Sequence, residues 1–220
     1  MSAPSAVAST RASAIRASAI RWHPGDPEDA LAAVLARGGV VALPTESSYS
    51  LAARPNSRVG VERVYRIKAR AADKPLPVMA ARARDLAALG VDLKDPGIVR
   101  ARRLWPAALT VVAALEPAAP SLPAAAGGRT LAVRIPGHRV LRGLLRRLGP
   151  LCATSANRSG EPAITDPAQL DRLLEGHDAI IADSGTLPGG LPSTIVRWRR
   201  YGFDVLRHGA FDLEERLSAS

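Results

Sequence analysis

Residues 109–135, LTVVAALEPAAPSLPAAAGGRTLAVRI, hold the pattern that decides the fold. Two short aliphatic and β-branched runs, 109–115 and 130–135, flank a Pro- and Gly-rich connection and read as neighbouring strands. The runs at 193–198 and 203–206 form a second such pair, and further strand candidates lie at 40–43, 76–80, 151–154 and 179–182. Helical patterns fall between them. Asp26-Pro27, Asp95-Pro96 and Asp166-Pro167 each offer a side-chain acceptor followed by a preset φ, the chemistry of a helix start. Other helices are expected at 58–67 and 138–148, the second with Val140, Leu141, Leu144, Leu145 and Leu148 on its apolar side. Strands and helices interleave without strict βαβ alternation. The expected fold class is therefore mixed α+β within α/β: a single domain with a twisted, largely antiparallel open sheet flanked by helices.

The chain has 220 residues, 47% of them hydrophobic and 23% charged, which excludes fibrous, disordered and disulfide-scaffold classes. Its net charge of +10 invites a polyanion partner. The cations, however, are almost all Arg: only Lys68, Lys74 and Lys94 are lysines, and a GC-rich genome would produce that bias by itself. Residues 1–21 contain Arg11, Arg16 and Arg21 and no acid, so they carry three of the ten net charges. This stretch has the composition of a mitochondrial transit peptide, and equally that of a disordered extension or a misassigned start. We read it as a disordered tail, followed by one domain over residues 22–212 and a short tail over 213–220. There is no secretory h-region and no apolar run of the ~20 residues a membrane helix needs, so a cytoplasmic protein without a membrane partner is expected. The single cysteine, Cys152, excludes an internal disulfide and reads as a buried small hydrophobe in its strand.

Phosphate-loop, dinucleotide-fingerprint, nucleophile-elbow and HExxH motifs are all missing. The four histidines, His23, His138, His177 and His208, are scattered. No metal site is expected from protein ligands. Three polar stretches follow or interrupt strands, where a rigid sheet can hold a loop against a ligand. The first is PTESSY (44–49), whose hydroxyls suit a small polar ligand, or an ordinary turn. The second is KARAADKP (68–75), in which two of the three lysines fall within seven residues; with the planar fork of Arg70 they would clamp a triphosphate, or else cap a helix end. The third is TSANRSG (154–160), where alternation in an extended chain points Ser155 and Asn157 the same way, toward one ligand face.

These stretches, in order with WPAALT (105–110), TLAVRIPGH (130–138), PSTIV (192–196) and LRHG (206–209), resemble the YrdC (TsaC-type) family of L-threonylcarbamoyladenylate synthases. The resemblance runs from about Asp26 to Gly209, and Lys68/Arg70 with Ser155/Asn157 is its most recognisable element. Ser50 and Ala52 stand where the family has glycines, and Ala107-Ala108 replace Gly-Pro. The resemblance implies a YrdC-like fold with a central ligand cavity, in the short single-domain form. It also implies conversion of L-threonine, bicarbonate and ATP to threonylcarbamoyl-AMP and pyrophosphate, a nucleotidyltransferase step toward threonylcarbamoyladenosine in tRNA. By matching position, Lys68, Arg70, Lys74, Thr130, Asn157, Thr165 and Arg207 would hold ATP. Ser47, Met79, Arg134, Ser155 and Ser193 would hold threonine, with Arg134 on its carboxylate. Lys68, Arg70, Ser155 and Asn157 would carry the catalytic work. Mg²⁺ would accompany the ATP, held by phosphate oxygens and water. Implied partners are the transferase complex that passes threonylcarbamoyl to tRNA, and tRNA itself.

A rival reading treats the basic body as a double-stranded RNA or tRNA binder without nucleotidyltransferase activity. Its phosphate contacts would come from Arg139, Arg142, Arg146, Arg147 and the Arg197/Arg199/Arg200 run. Another is carbamoyl transfer in hydrogenase maturation, but the zinc-finger and acylphosphatase modules of that system have no counterpart in this sequence.

Overall fold

A computed structural model describes residues 20–218. The strands are β1 (Ile20–Trp22), β2 (Val40–Pro44), β3 (Tyr49–Ala53), β4 (Val78–Met79), β5 (Leu109–Ala114), β6 (Thr130–Arg134), β7 (Leu151–Ser155), β8 (Ala179–Ala182), β9 (Thr194–Arg199) and β10 (Gly202–Arg207). They form one mixed sheet in the order β1-β8-β2-β3-β7-β4-β6-β5-β9-β10. Neighbours are antiparallel at β2–β3, β3–β7, β7–β4, β6–β5 and β9–β10 and parallel at the other junctions. Both expected strand pairs are present: Thr110 lies opposite Arg134, and Trp198 opposite Phe203.

The helices are α1 (Asp29–Ala36), α2 (Arg58–Lys68), α3 (Pro96–Ala101), α4 (Arg139–Leu148), α5 (Ala168–Leu174) and α6 (Leu213–Ser218). Period-2 alternation divides the central strands between two apolar layers. Val40, Leu51, Val78 and Val133 face Val61, Val64 and Ile67 of α2 and Leu170 and Leu174 of α5. On the other face, Val41, Leu43, Leu151 and Ile180 meet Leu31, Val34 and Leu35 of α1 and Leu141, Leu144, Leu145 and Leu148 of α4. A smaller cluster joins Ala101, Leu109, Val111 and Val196 at the β5–β9 end.

The caps follow the sequence in part. Asp95 accepts hydrogen bonds from Gly97 N at 2.8 Å and Ile98 N at 3.3 Å, as an N-cap should. Asp166 accepts from Ala168 N at 2.9 Å, two residues before the helix it was expected to open. Asp26 does not cap α1. Its carboxylate instead accepts from His23 N at 2.8 Å and closes a turn, so the helix starts three residues later at Asp29. His138 caps α4, its Nδ1 accepting from Leu141 N.

Strand β3 had no sequence signal because Ser50, Ala52 and Ala53 are small and the strand is buried on both faces. β1 begins at Ile20, inside the stretch read as a tail, and pairs in parallel with β8 at the sheet edge. Arg21 there makes ion pairs with Asp171 and Asp183. The remainder of that expected tail, residues 1–19, lies outside the described residues. At the other end, α6 occupies most of the segment read as a C-terminal tail.

Cys152 is fully buried, and that burial pushes its thiol up to about 12, so it remains an inert packing group. Among the described residues, no helix is long and apolar enough to cross a membrane. The α4 layer should carry a large share of stability. Leu145→Ala, which truncates a 1%-exposed side chain, is expected to cost about 2–5 kcal/mol in a denaturant unfolding titration; a loss below about 1 kcal/mol would show that this layer is not a packed core.

Candidate active site

The last turn of α2 sends Lys68 inward. Ala69 takes a left-handed φ of +49°, and Arg70 N turns back to the Tyr65 carbonyl, which ends the helix and directs the chain away. The loop after β7 closes over this end: Ser159 N donates to the Lys68 carbonyl at 2.8 Å, Ala156 N donates to Tyr49 O, and Ile164 N donates to Ala156 O. Lys68 is thereby only 4% exposed. Its ammonium donates to Asn157 Oδ1 at 2.6 Å and Ser155 O at 2.8 Å, with Ser155 Oγ and Asn157 O at 3.3 Å. Ser155 Oγ in turn donates to Asn157 Oδ1 at 2.8 Å, and Asn157 Nδ2 donates to Glu161 O. The expected convergence of Ser155 and Asn157 is real, and Lys68 is its centre.

All four of these Lys68 contacts are neutral oxygens. Burial, reinforced by the positive charge of Arg70, lowers its pKa from 10.5 to about 8. Arg70 lies alongside. Its Nη2 reaches Pro75 O at 3.5 Å, and its Nε is shielded from solvent with no hydrogen-bond partner among the described residues. One ammonium and one guanidinium thus sit near each other with no carboxylate among their hydrogen-bond acceptors in the described residues, an arrangement that an incoming anion would relieve.

A second charged cluster collects around Arg134 at the end of β6. Its Nη2 makes an ion pair with Glu46 Oε2 at 2.5 Å, and its Nε donates to Ala107 O at 3.2 Å. Glu46 comes from the β2–β3 loop, and its Oε1 accepts from Gly137 N at 2.6 Å. Burial works against the ionised form of Glu46, but Arg134 and the Gly137 N–H overcome it and hold the carboxyl below its usual range. Arg207, on β10, donates through Nε and Nη2 to Ser193 O at 3.2 and 2.8 Å. Burial and the nearby charge of Arg134 lower its pKa. Ser193 Oγ completes the chain at 2.9 Å from Thr110 Oγ1.

One loop, residues 183–193, links several of the expected site residues. The Tyr49 hydroxyl donates to Gly185 O, Leu187 N donates to Thr165 O, and Gly189 N donates to Ser47 O at 2.8 Å. Ser47 and Thr165 are therefore tied by backbone bonds to the loop that ends at Ser193. The side chains of Lys74, Thr130 and Met79 make no hydrogen bond to either cluster among the described residues. Lys74 is exposed, its carbonyl accepting from the Tyr65 hydroxyl. Thr130 is exposed at the start of β6, the opposite end from Arg134. Met79 is in register with Arg134, but it is 4% exposed and packs with the α4 leucines. Sequence reading missed Glu46, Thr110 and Gly137. Glu46 had been in view within PTESSY, but a carboxylate carries no obvious role in a site expected to bind anions. No group of three or more His, Cys, Asp or Glu converges among the described residues, so these side chains provide no cage for a divalent cation.

A family model named Sua5_yciO_yrdC and described as telomere recombination matches residues 33–209. The chain belongs to the Sua5/YciO/YrdC family. The threonylcarbamoyl-AMP synthase of Thiobacillus denitrificans is 38% identical over 168 residues, covering 76% of this chain and 88% of the relative. That of Bacillus subtilis is also 38% identical, over 177 residues and 78% of this chain, but the match spans 50% of the relative. Among solved structures, P. abyssi Sua5 complexed with L-threonine aligns with a TM-score of 0.78 at 30% identity, over 90% of this chain and 59% of that one. E. coli YciO aligns at 0.72 and 25% identity over 89% of this chain and 97% of that one. The chain thus spans about half the length of some relatives and most of others. The fold of this Sua5/YciO/YrdC member is the one expected from its sequence.

Gly209 fixes the distance between Arg207 and Ser193. A Cβ placed on it would come within 2.2 Å of Pro192 O and 2.6 Å of Thr194 N, and no flexible side chain is there to yield. Gly209→Ala is expected to lower stability by about 1–3 kcal/mol and to displace Ser193. Comparing urea midpoints of the two proteins checks this, and equal midpoints would show that the segment yields without cost.

Proposed function

We propose that this protein makes threonylcarbamoyl-AMP and pyrophosphate from L-threonine, bicarbonate and ATP, as a cytoplasmic step in tRNA threonylcarbamoyladenosine formation. The observation that carries the proposal is the buried Lys68 ammonium, fixed by Ser155 and Asn157 beside Arg70 and lacking a carboxylate among its hydrogen-bond acceptors. Such a site is electrostatically incomplete until phosphate oxygens arrive. The names of the T. denitrificans and B. subtilis relatives support the synthase over the RNA-binding alternative. The P. abyssi complex supports threonine as substrate.

In this reading the threonine amine attacks bicarbonate, water leaves, and a carbamate forms. A carbamate oxygen then attacks the α-phosphorus of ATP, and the bond to the bridging β-phosphate oxygen breaks to release pyrophosphate. The protein contributes orientation and charge rather than a covalent nucleophile. Lys68 and Arg70 face the charge that develops on the departing pyrophosphate, and Asn157 fixes the ammonium that does so. Lys74, Thr130, Thr165 and Arg207 would complete the nucleotide contacts. Arg134 would hold the threonine carboxylate, with Ser47, Ser155 and Ser193 around it and Met79 forming apolar wall. Mg²⁺ would enter with ATP on phosphate oxygens and water, in keeping with the lack of a carboxylate cage among the described residues. The product is a reactive mixed anhydride, so a transferase that passes threonylcarbamoyl to tRNA is the partner its chemistry requires.

Incubation with ATP, Mg²⁺, bicarbonate and threonine should yield the carbamoyl-adenylate by mass spectrometry. Lys68→Ala should cut threonine-dependent pyrophosphate release by about a hundredfold or more. Folded wild-type protein that makes no product, or undiminished release by the variant, would overturn the assignment.

A further inference from the structure

We infer that Glu46 is a substrate-binding residue: with Arg134 it forms a charge pair that reads the amino group and the carboxylate of the amino acid together. The inference rests on the amino-acid reading of this site. An α-amino acid carries an ammonium and a carboxylate on one carbon, so its recognition calls for an anion and a cation held side by side. Glu46 Oε2 and Arg134 Nη2 are 2.5 Å apart at the end of β6. Within the candidate site, Glu46 is the carboxylate held against a guanidinium.

The two carboxylate oxygens have different surroundings. Oε1 is occupied by the Gly137 N–H at 2.6 Å, which fixes the side chain to the β6–α4 turn. Oε2 is shielded from solvent by Arg134, whose Nη2 stands 2.5 Å from it in an ion pair. A carboxylate oxygen can accept more than one donor, so an ammonium arriving beside Arg134 would share Oε2 with it. Arg134 is tethered on one side by Nε to Ala107 O, and its Nη1 makes no bond among the described residues. The pair therefore sets a carboxylate beside a guanidinium that keeps one donor edge unbonded among the described residues. Arg207 lies close enough to Arg134 to feel its charge, and it donates to Ser193 O at 2.8 Å. The net charge around the carboxylate of a bound amino acid is thus positive even with Glu46 ionised.

The contact survives the proposed reaction. Carboxylation replaces two ammonium protons with a C–N bond to the carbamate, and the N–H that remains can still donate to Oε2. A purely structural Glu46, one that only steadies Arg134, makes a different prediction: its loss would weaken every carboxylate ligand alike.

Isothermal titration calorimetry with L-threonine and with its desamino analogue, (R)-3-hydroxybutyrate, separates the two. Wild-type protein is expected to bind threonine about tenfold or more tightly than the analogue. Glu46→Gln should weaken threonine by about tenfold or more and leave the analogue within about twofold. Glu46→Asp, which keeps the charge but withdraws the oxygen, should fall between them, and unchanged thermal midpoints would show that both variants are folded. Equal wild-type affinities for the two ligands, or parallel loss of both in the variants, would overturn the role of Glu46 while leaving the amino-acid site standing. If wild-type protein binds neither ligand, the amino-acid reading itself falls and the inference falls with it.

Discussion

The site is organised around the cost of burying one ammonium. Lys68 sits on the last turn of α2, 4% exposed, with its charge matched only by the dipoles of Ser155 and Asn157. The fall in pKa from 10.5 to about 8 corresponds to about 3 kcal/mol by which the charged form is disfavoured. Several local features accommodate that charge. The left-handed turn at Ala69 ends the helix where Lys68 points inward, and Ser159 N ties the loop after β7 to the Lys68 carbonyl. Ser155 orients the Asn157 amide oxygen that makes the shortest contact. A phosphate oxygen arriving beside Lys68 and Arg70 would recover much of this cost, and that makes the strain useful for binding.

The Arg134 cluster is arranged on a different principle. Here the cation has a carboxylate partner, and Gly137 N–H and Ala107 O hold the two side chains in place. Among the described residues, one cluster has no carboxylate hydrogen-bonded to its cations; the other has both signs of charge. An anion is the natural ligand of the first and a zwitterion of the second. Their separate elements, the end of α2 with the β7 loop and the end of β6 with the β2–β3 loop, are carried by one sheet, which keeps the two clusters in a fixed relation.

Much of this arrangement was legible in the chain. Lysine is rare enough here that Lys68 and Lys74 stood out, and the i, i+2 spacing of Ser155 and Asn157 implied a common direction. The hairpin-like pairs near 109–135 and 193–206 excluded a simple parallel sheet. What could not be read depends on contacts between distant segments. The non-sequential strand order brings β8 beside β1 and β4 between β7 and β6, and no local propensity encodes that. β3 is built of small residues whose strand character comes from burial between β2 and β7. Asp26 looked like an N-cap until His23 N took its carboxylate. Glu46 acquires meaning only when Arg134, 88 positions later, folds back onto it.

The central claim, that Lys68 is a strained buried cation awaiting an anion, can be measured directly. The chain has only three lysines, Lys68, Lys74 and Lys94, so their side-chain NMR signals can be assigned by single Lys→Arg substitutions and followed through a pH titration. In the free protein Lys68 should lose its proton near pH 8. Because an anion stabilises the charged form, saturating MgATP should move that midpoint upward. A Lys68 that titrates with the ordinary lysine value of 10.5 and does not respond to nucleotide would contradict the account.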